Sequence, residues 1–90
     1  MDRVTKKLIE YRVEKDPERR TNLADQIIKL IQKRLDGRVA HVTFDDGNTY
    51  FATAIEGVSD QRICFWNENA TYNVTYPISR ITMIVLYANN

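Results

Sequence analysis

One cysteine, one histidine, two prolines and three glycines stand in ninety residues, and each scarcity excludes a class of protein. A lone Cys64 rules out an internal disulfide framework, and one Cys with one His cannot supply the four ligands of a structural zinc site. Its place inside a strand pattern reads Cys64 as a buried, inert thiol. So little glycine and proline leaves no room for a fibrous, low-complexity or linker-rich chain. The apolar run that ends at Ala88 is far shorter than the ~20 residues needed to cross a bilayer as a helix. Met1 to Lys7 carries no apolar stretch of the signal-peptide kind, so the expectation is a cytoplasmic protein whose sequons at Asn69 and Asn73 are chance. Net charge is scarce as well. Thirteen Lys and Arg against twelve Asp and Glu leave +1, which gives no global pull toward nucleic acid or membrane, so any basic patch has to be local.

What is present fits a globular domain, 43% hydrophobic and 28% charged. Ninety residues make a single domain, 1–90, with a helical segment over 1–36 and a β segment over 38–88. A chain of this size buries only ~60–65% of its unfolded surface, so a partner or a second copy would add to a modest core.

From Asp2 to Lys15, Val4, Leu8 and Tyr11 fall at i, i+4 and i+7 and predict a helix with one narrow apolar stripe. Asp16-Pro17-Glu18 then restarts the chain: Asp16 caps, Pro17 suits the first helical position, and Glu18 favours the positive end of the dipole. The second helix is predicted from Pro17 to Asp36, with Leu23, Ala24, Ile27, Ile28, Leu30, Ile31 and Leu35 on a stripe ~160° wide, and Gly37 stops it. A stripe that wide wants two surfaces, the β segment and either the first helix or another chain.

Five strands follow, at Arg38–Asp45, Asn48–Gly57, Gln61–Asn67, Thr71–Ile78 and Ile81–Ala88, rich in β-branched and aromatic residues. Alternation turns Ala40, Val42 and Phe44 inward in the first and Ile63 and Phe65 inward in the third. In the fourth, Tyr72, Val74, Tyr76 and Ile78 share a face, and Pro77 belongs at a strand end or edge. Asp45-Asp46-Gly47-Asn48 is a hairpin signal. Small residues at Ala52, Ala54 and Gly57 suggest a bend that lets one sheet close on itself. The last strand is apolar on both faces and so predicts cover on both. The expected fold is α+β: two N-terminal helices followed by a five-stranded antiparallel β-barrel.

Val39-Ala40-His41-Val42-Thr43-Phe44-Asp45-Asp46-Gly47, Ala54-Ile55-Glu56-Gly57-Val58-Ser59-Asp60 and Ile78-Ser79-Arg80-Ile81-Thr82-Met83-Ile84 carry a resemblance over about Leu30 to Leu86 to the Sm-like branch of small SH3-like barrels. That resemblance implies a barrel, RNA binding and ring assembly. Of the family's RNA-reading residues, Asp60 and Arg80 match, while Ile63, Cys64 and Ile81 stand where Asn and Gly are expected. The chain also resembles the YolD-like proteins of Gram-positive bacteria, which implies an accessory role.

No phosphate loop, nucleophile elbow or His-Glu-x-x-His occurs. His41 has no Cys or Ser positioned to use it, and Asp45 and Asp46 fit turn chemistry. A non-enzymatic protein with no cofactor, metal or small-molecule substrate is the expectation. Two binding readings remain open. Arg19, Lys29, Lys33 and Arg38 form a basic stripe able to track a phosphate backbone, and Tyr50, Trp66, Tyr72 and Tyr76 offer aromatic faces for base stacking or for a protein interface. The first reading is a regulatory or adaptor protein acting through protein–protein contacts or self-association. The other is a module that binds RNA or DNA.

Overall fold

In the computed structural model the described residues are 3–67 and 73–88. Helix α1 (Arg3–Val13) and helix α2 (Pro17–Arg34) precede β1 (Arg38–Phe44), β2 (Thr49–Ala52), β3 (Ala54–Val58), β4 (Arg62–Trp66), β5 (Asn73–Pro77), one 3₁₀ turn (Ile78–Arg80) and β6 (Ile81–Ala88). The α1 stripe is buried as its spacing requires, with Val4, Leu8 and Tyr11 each at most 3% exposed. Helix α1 ends at Val13, short of Lys15, because Asp16 is extended ahead of Pro17. There the Asp16 carboxylate accepts the Arg19 backbone N–H at 3.1 Å and caps α2. Helix α2 stops two residues short of Asp36. Gly37 turns left-handed at φ +67°, and the Arg38 N–H donates to the Leu35 carbonyl. Ala24, Ile27, Ile28, Ile31 and Leu35 are buried, while Leu23 and Leu30 pack half-buried at the edges of the stripe.

The strands do not form the expected five-stranded barrel. Six strands lie in two separate three-stranded antiparallel sheets, ordered β2-β1-β6 and β3-β4-β5, and neither closes. The run Asn48–Gly57 divides at Thr53: Ala52 pairs with Ala40 in the first sheet, whereas Ala54 pairs with Trp66 in the second. The bend at the small residues is there, but it separates two sheets instead of curling one. The 3₁₀ turn then carries the chain from β5, an edge of the second sheet, to β6, an edge of the first, and the two strands do not pair. Pro77 ends β5 on that edge, where a missing N–H is tolerated.

Strand parity survives the change of architecture. Ala40, Val42, Phe44, Ile63 and Phe65 are all at most 1% exposed, in one core shared by both sheets and both helices. Thr71 and Tyr72 lie outside the described residues. In β6 the ladder to β1 slips between Thr43 and Phe44, so that Thr43 faces Met83 and Phe44 faces Ile81. Thr82 is the extra residue of this β-bulge, and its hydroxyl donates to the Thr43 carbonyl at 3.1 Å. The bulge puts both Ile81 and Ile84 into the core and turns Met83 outward.

The β3–β4 turn holds two consecutive left-handed residues, Asp60 at φ 62° and Gln61 at φ 56°. For a glutamine that conformation costs ~1–2 kcal/mol, and three bonds hold it. The buried Tyr11 hydroxyl donates to Gln61 Oε1 at 2.6 Å, Gln61 Nε2 donates to Thr21 Oγ1 at 3.4 Å, and the Ile78 N–H donates to the Gln61 carbonyl at 3.0 Å. Arg20 lies 4.1 Å above the Tyr11 ring and donates to the Tyr11 carbonyl. One tyrosine thus ties α1, α2 and the second sheet together. Tyr11→Phe is expected to cost ~1–2 kcal/mol, or a fall in Tm of about 4–8 °C per kcal/mol, by thermal unfolding. In a Gln61→Gly background the same change should cost far less, because its partner is gone.

A candidate interaction surface

The register of the first sheet fixes which side chains share its outer face. Val39 stands opposite Tyr87, His41 between Phe51 and Val85, and Thr43 between Thr49 and Met83. None of these eight residues carries a fixed charge. Phe51, Met83 and Tyr87 are 47, 54 and 49% exposed. His41 sits at the centre of the central strand, its ring 4.1 Å from Phe51 edge-to-face and 4.4 Å from Tyr87. The sequence predicted cover on both faces of the last strand; the structure covers the Ile84 face and leaves the Met83–Tyr87 face open.

The sequence-derived aromatic set does not form one surface. Tyr50 and Tyr76 point inward at the rim, half-buried, and join Phe44 and Phe65. Phe44 stacks on Tyr76 at 3.8 Å between centroids and on Phe65 at 5.4 Å, and Tyr50 meets Phe65 at 5.5 Å. These rings join the inner faces of the two sheets. Trp66 is half-buried on the opposite side of β4, facing Ala54 and Asn73, and Tyr72 lies outside the described residues.

The basic stripe is likewise divided. Arg19 is exposed in the first turn of α2, and Lys29 pairs with Asp25 at 2.9 Å. Lys33 and Arg38 do come together, with Arg3 and Arg34, around a pocket of about 400 Å³ that Asp36 also lines. The negative end of the α2 dipole points into the same region and, with Asp36, offsets part of the charge of these four cations. A second, open groove of about 650 Å³ runs between α2 and β3. Gln32 partly bridges that side by donating to the Ile55 carbonyl at 2.9 Å.

At the β1–β2 turn, Gly47 adopts φ +86° and the carboxylates form a lock. Arg80 Nε binds Asp45 at 2.8 Å, Arg80 Nη2 reaches Asp46 at 3.4 Å, and the Tyr76 hydroxyl donates to Asp46 at 2.9 Å. The Asn48 backbone N–H, then the Tyr76 hydroxyl, the Asn48 amide and Arg80, hold the Asp46 carboxyl below its usual range. Both candidate carboxylates are therefore engaged in fastening this turn to the 3₁₀ turn. Cys64 is half-buried instead of buried, because it lies on the outer side of β4; there it donates to Asn73, away from His41. No group of three or more metal-ligating side chains occurs among the described residues. Among the described residues no helix is long and apolar enough to cross a membrane.

Neither a scan of protein-family models nor searches of curated proteins and solved structures return a match for this chain.

The Tyr50 hydroxyl and the bond to Asp46 push the Tyr76 phenol from the ordinary 10.0 up to about 12. The fold holds the neutral phenol, so this contribution to stability is complete below the ordinary value and is lost as pH rises toward 12. Near-ultraviolet absorbance titration should show one tyrosine ionising at about 12, and Asp46→Asn should bring it back toward the ordinary value.

Proposed function

We propose that the protein is a small non-enzymatic module that self-associates through the outer face of the β2-β1-β6 sheet. The observation that carries this reading is an uncharged face with three large exposed apolar side chains, on a chain in which 28% of residues are charged. Those three side chains leave on the order of 300 Å² of exposed surface, comparable to the largest apolar patch of a typical monomer, which is often functional.

A second copy suits the face better than a charged partner. An uncharged face is complementary to itself, and a net charge of +1 gives two copies little reason to repel. An isologous two-fold contact needs only this one patch. The face, with β1 and β6 seven and eight residues long and β2 four, covers about 300 Å² in projection on each copy, or about 600 Å² for two. That lies below the ~1,200 Å² at which standard specific interfaces begin and fits a weak, reversible dimer.

Sedimentation equilibrium should show a monomer–dimer exchange with Kd on the order of 10–100 μM. Phe51→Glu and Met83→Glu should each raise Kd at least about tenfold with an unchanged far-ultraviolet circular dichroism spectrum. Thr75→Glu, on the outer face of the second sheet, should leave it alone. A wild-type chain that stays monomeric to about 1 mM overturns this function, and one whose association ignores both outer-face changes moves the contact elsewhere.

A further inference from the structure

We infer that His41 makes this association pH-sensitive, so that the dimer forms at neutral to alkaline pH and dissociates as the imidazole takes up a proton. The inference rests on the self-association reading and adds its regulation.

His41 is the only histidine in the chain, and it occupies the middle of the proposed contact, on the central strand, between the Phe51 and Tyr87 rings. Histidine is the side chain whose charge ordinarily changes between pH 5 and 8. The groups that share its face are few. From β2 come Phe51 and Thr49, from β6 Val85, Tyr87 and Met83, and from its own strand Val39 and Thr43. The Tyr87 phenol is the one other titratable group among them, and among the described residues no carboxylate or cationic side chain shares this face to compensate an imidazolium.

Two effects then act in one direction. Burial against a second apolar face penalises the charged imidazole. A two-fold axis through the middle of the face sets the His41 of one copy beside that of the other, so two protonated rings repel. The dimer therefore binds fewer protons than two monomers, and by linkage its association constant rises with pH. With one histidine per copy, the slope of log association constant against pH is at most two.

The test is sedimentation velocity at fixed loading concentration from pH 8 to pH 5.5, on the wild type, His41→Phe and Phe51→Glu, with circular dichroism at each pH to follow the fold. The expected result is a fall of at least about tenfold in the wild-type association constant over this range, a flat profile in His41→Phe, and little dimer at any pH in Phe51→Glu. His41→Gln, polar but unable to charge, should associate more weakly than His41→Phe and also give a flat profile. A wild type whose dimer is broken by Phe51→Glu yet does not respond to pH overturns the role of His41 and leaves self-association standing. Full pH dependence retained in His41→Phe likewise overturns the role of His41 alone. Absence of a dimer even at pH 8 removes both.

Discussion

The stack of Phe44 on Tyr76, with centroids 3.8 Å apart and planes only 13° from parallel, is the contact on which the β half depends. Two three-stranded sheets that share no ladder hydrogen bonds must be joined by side chains. Phe44 comes from the end of β1 and Tyr76 from β5, and Phe65 in β4 stacks against the same ring system. An aromatic pair of this kind contributes ~0.5–1.5 kcal/mol beyond the apolar area it buries. The polar rim around it is consistent with that role. Asp46, Tyr76 and Arg80 bind one another across the mouth of the cluster, so the phenol is satisfied where its ring leaves the core.

Joining the sheets from within leaves their outer faces with separate fates. The outer face of the second sheet mixes Glu56, Cys64, Thr75 and Arg62 with Trp66, an ordinary half-polar surface. The outer face of the first is uncharged and carries Phe51, Met83 and Tyr87 in the open. Both helices join the same core as the inner faces, which leaves the first sheet's outer side without cover from the described helices. The asymmetry between the two sheets is the structural basis of the functional proposal.

The helices were legible because their signals are local. The spacing of Val4, Leu8 and Tyr11 and the Asp16-Pro17 restart each act within one or two helical turns. Strand parity at Ala40, Val42, Phe44, Ile63 and Phe65 was legible for the same reason. Pairing between strands is not local. The same alternation and the same turns serve a closed barrel or two open sheets, and the small residues around Thr53 announce a bend without saying whether it closes. The candidate site suffered from this. Tyr50 and Phe51 are neighbours on opposite faces, and only the pairing of Val42 with Tyr50 and of His41 with Phe51 decides which ring is core and which is surface. Lys33 and Arg38 line one pocket, while Lys29 pairs with Asp25 and Arg19 lies in the first turn of α2, so the four cations are spread over separate parts of the surface.

Thr82 gives β6 one residue more than its partner needs, and so makes the strand a phase-shifter. Upstream of it, Ile81 is in step with the core; downstream, Ile84 is in step with the core and Met83 and Tyr87 with the outside. Lengthening or shortening the chain by a single residue is usually harmless in a loop and ruinous in a strand. Here the loss of Thr82 would remove the bulge and restore simple alternation, with Ile81 and Ile84 both still inward, whereas the loss of a residue beyond Ile84 would exchange the inner and outer faces of the strand from that point on. The surface chemistry of this sheet is thus set by the strand's residue count as much as by the identity of its side chains, and change by insertion or deletion is confined to the bulge and the turns on either side.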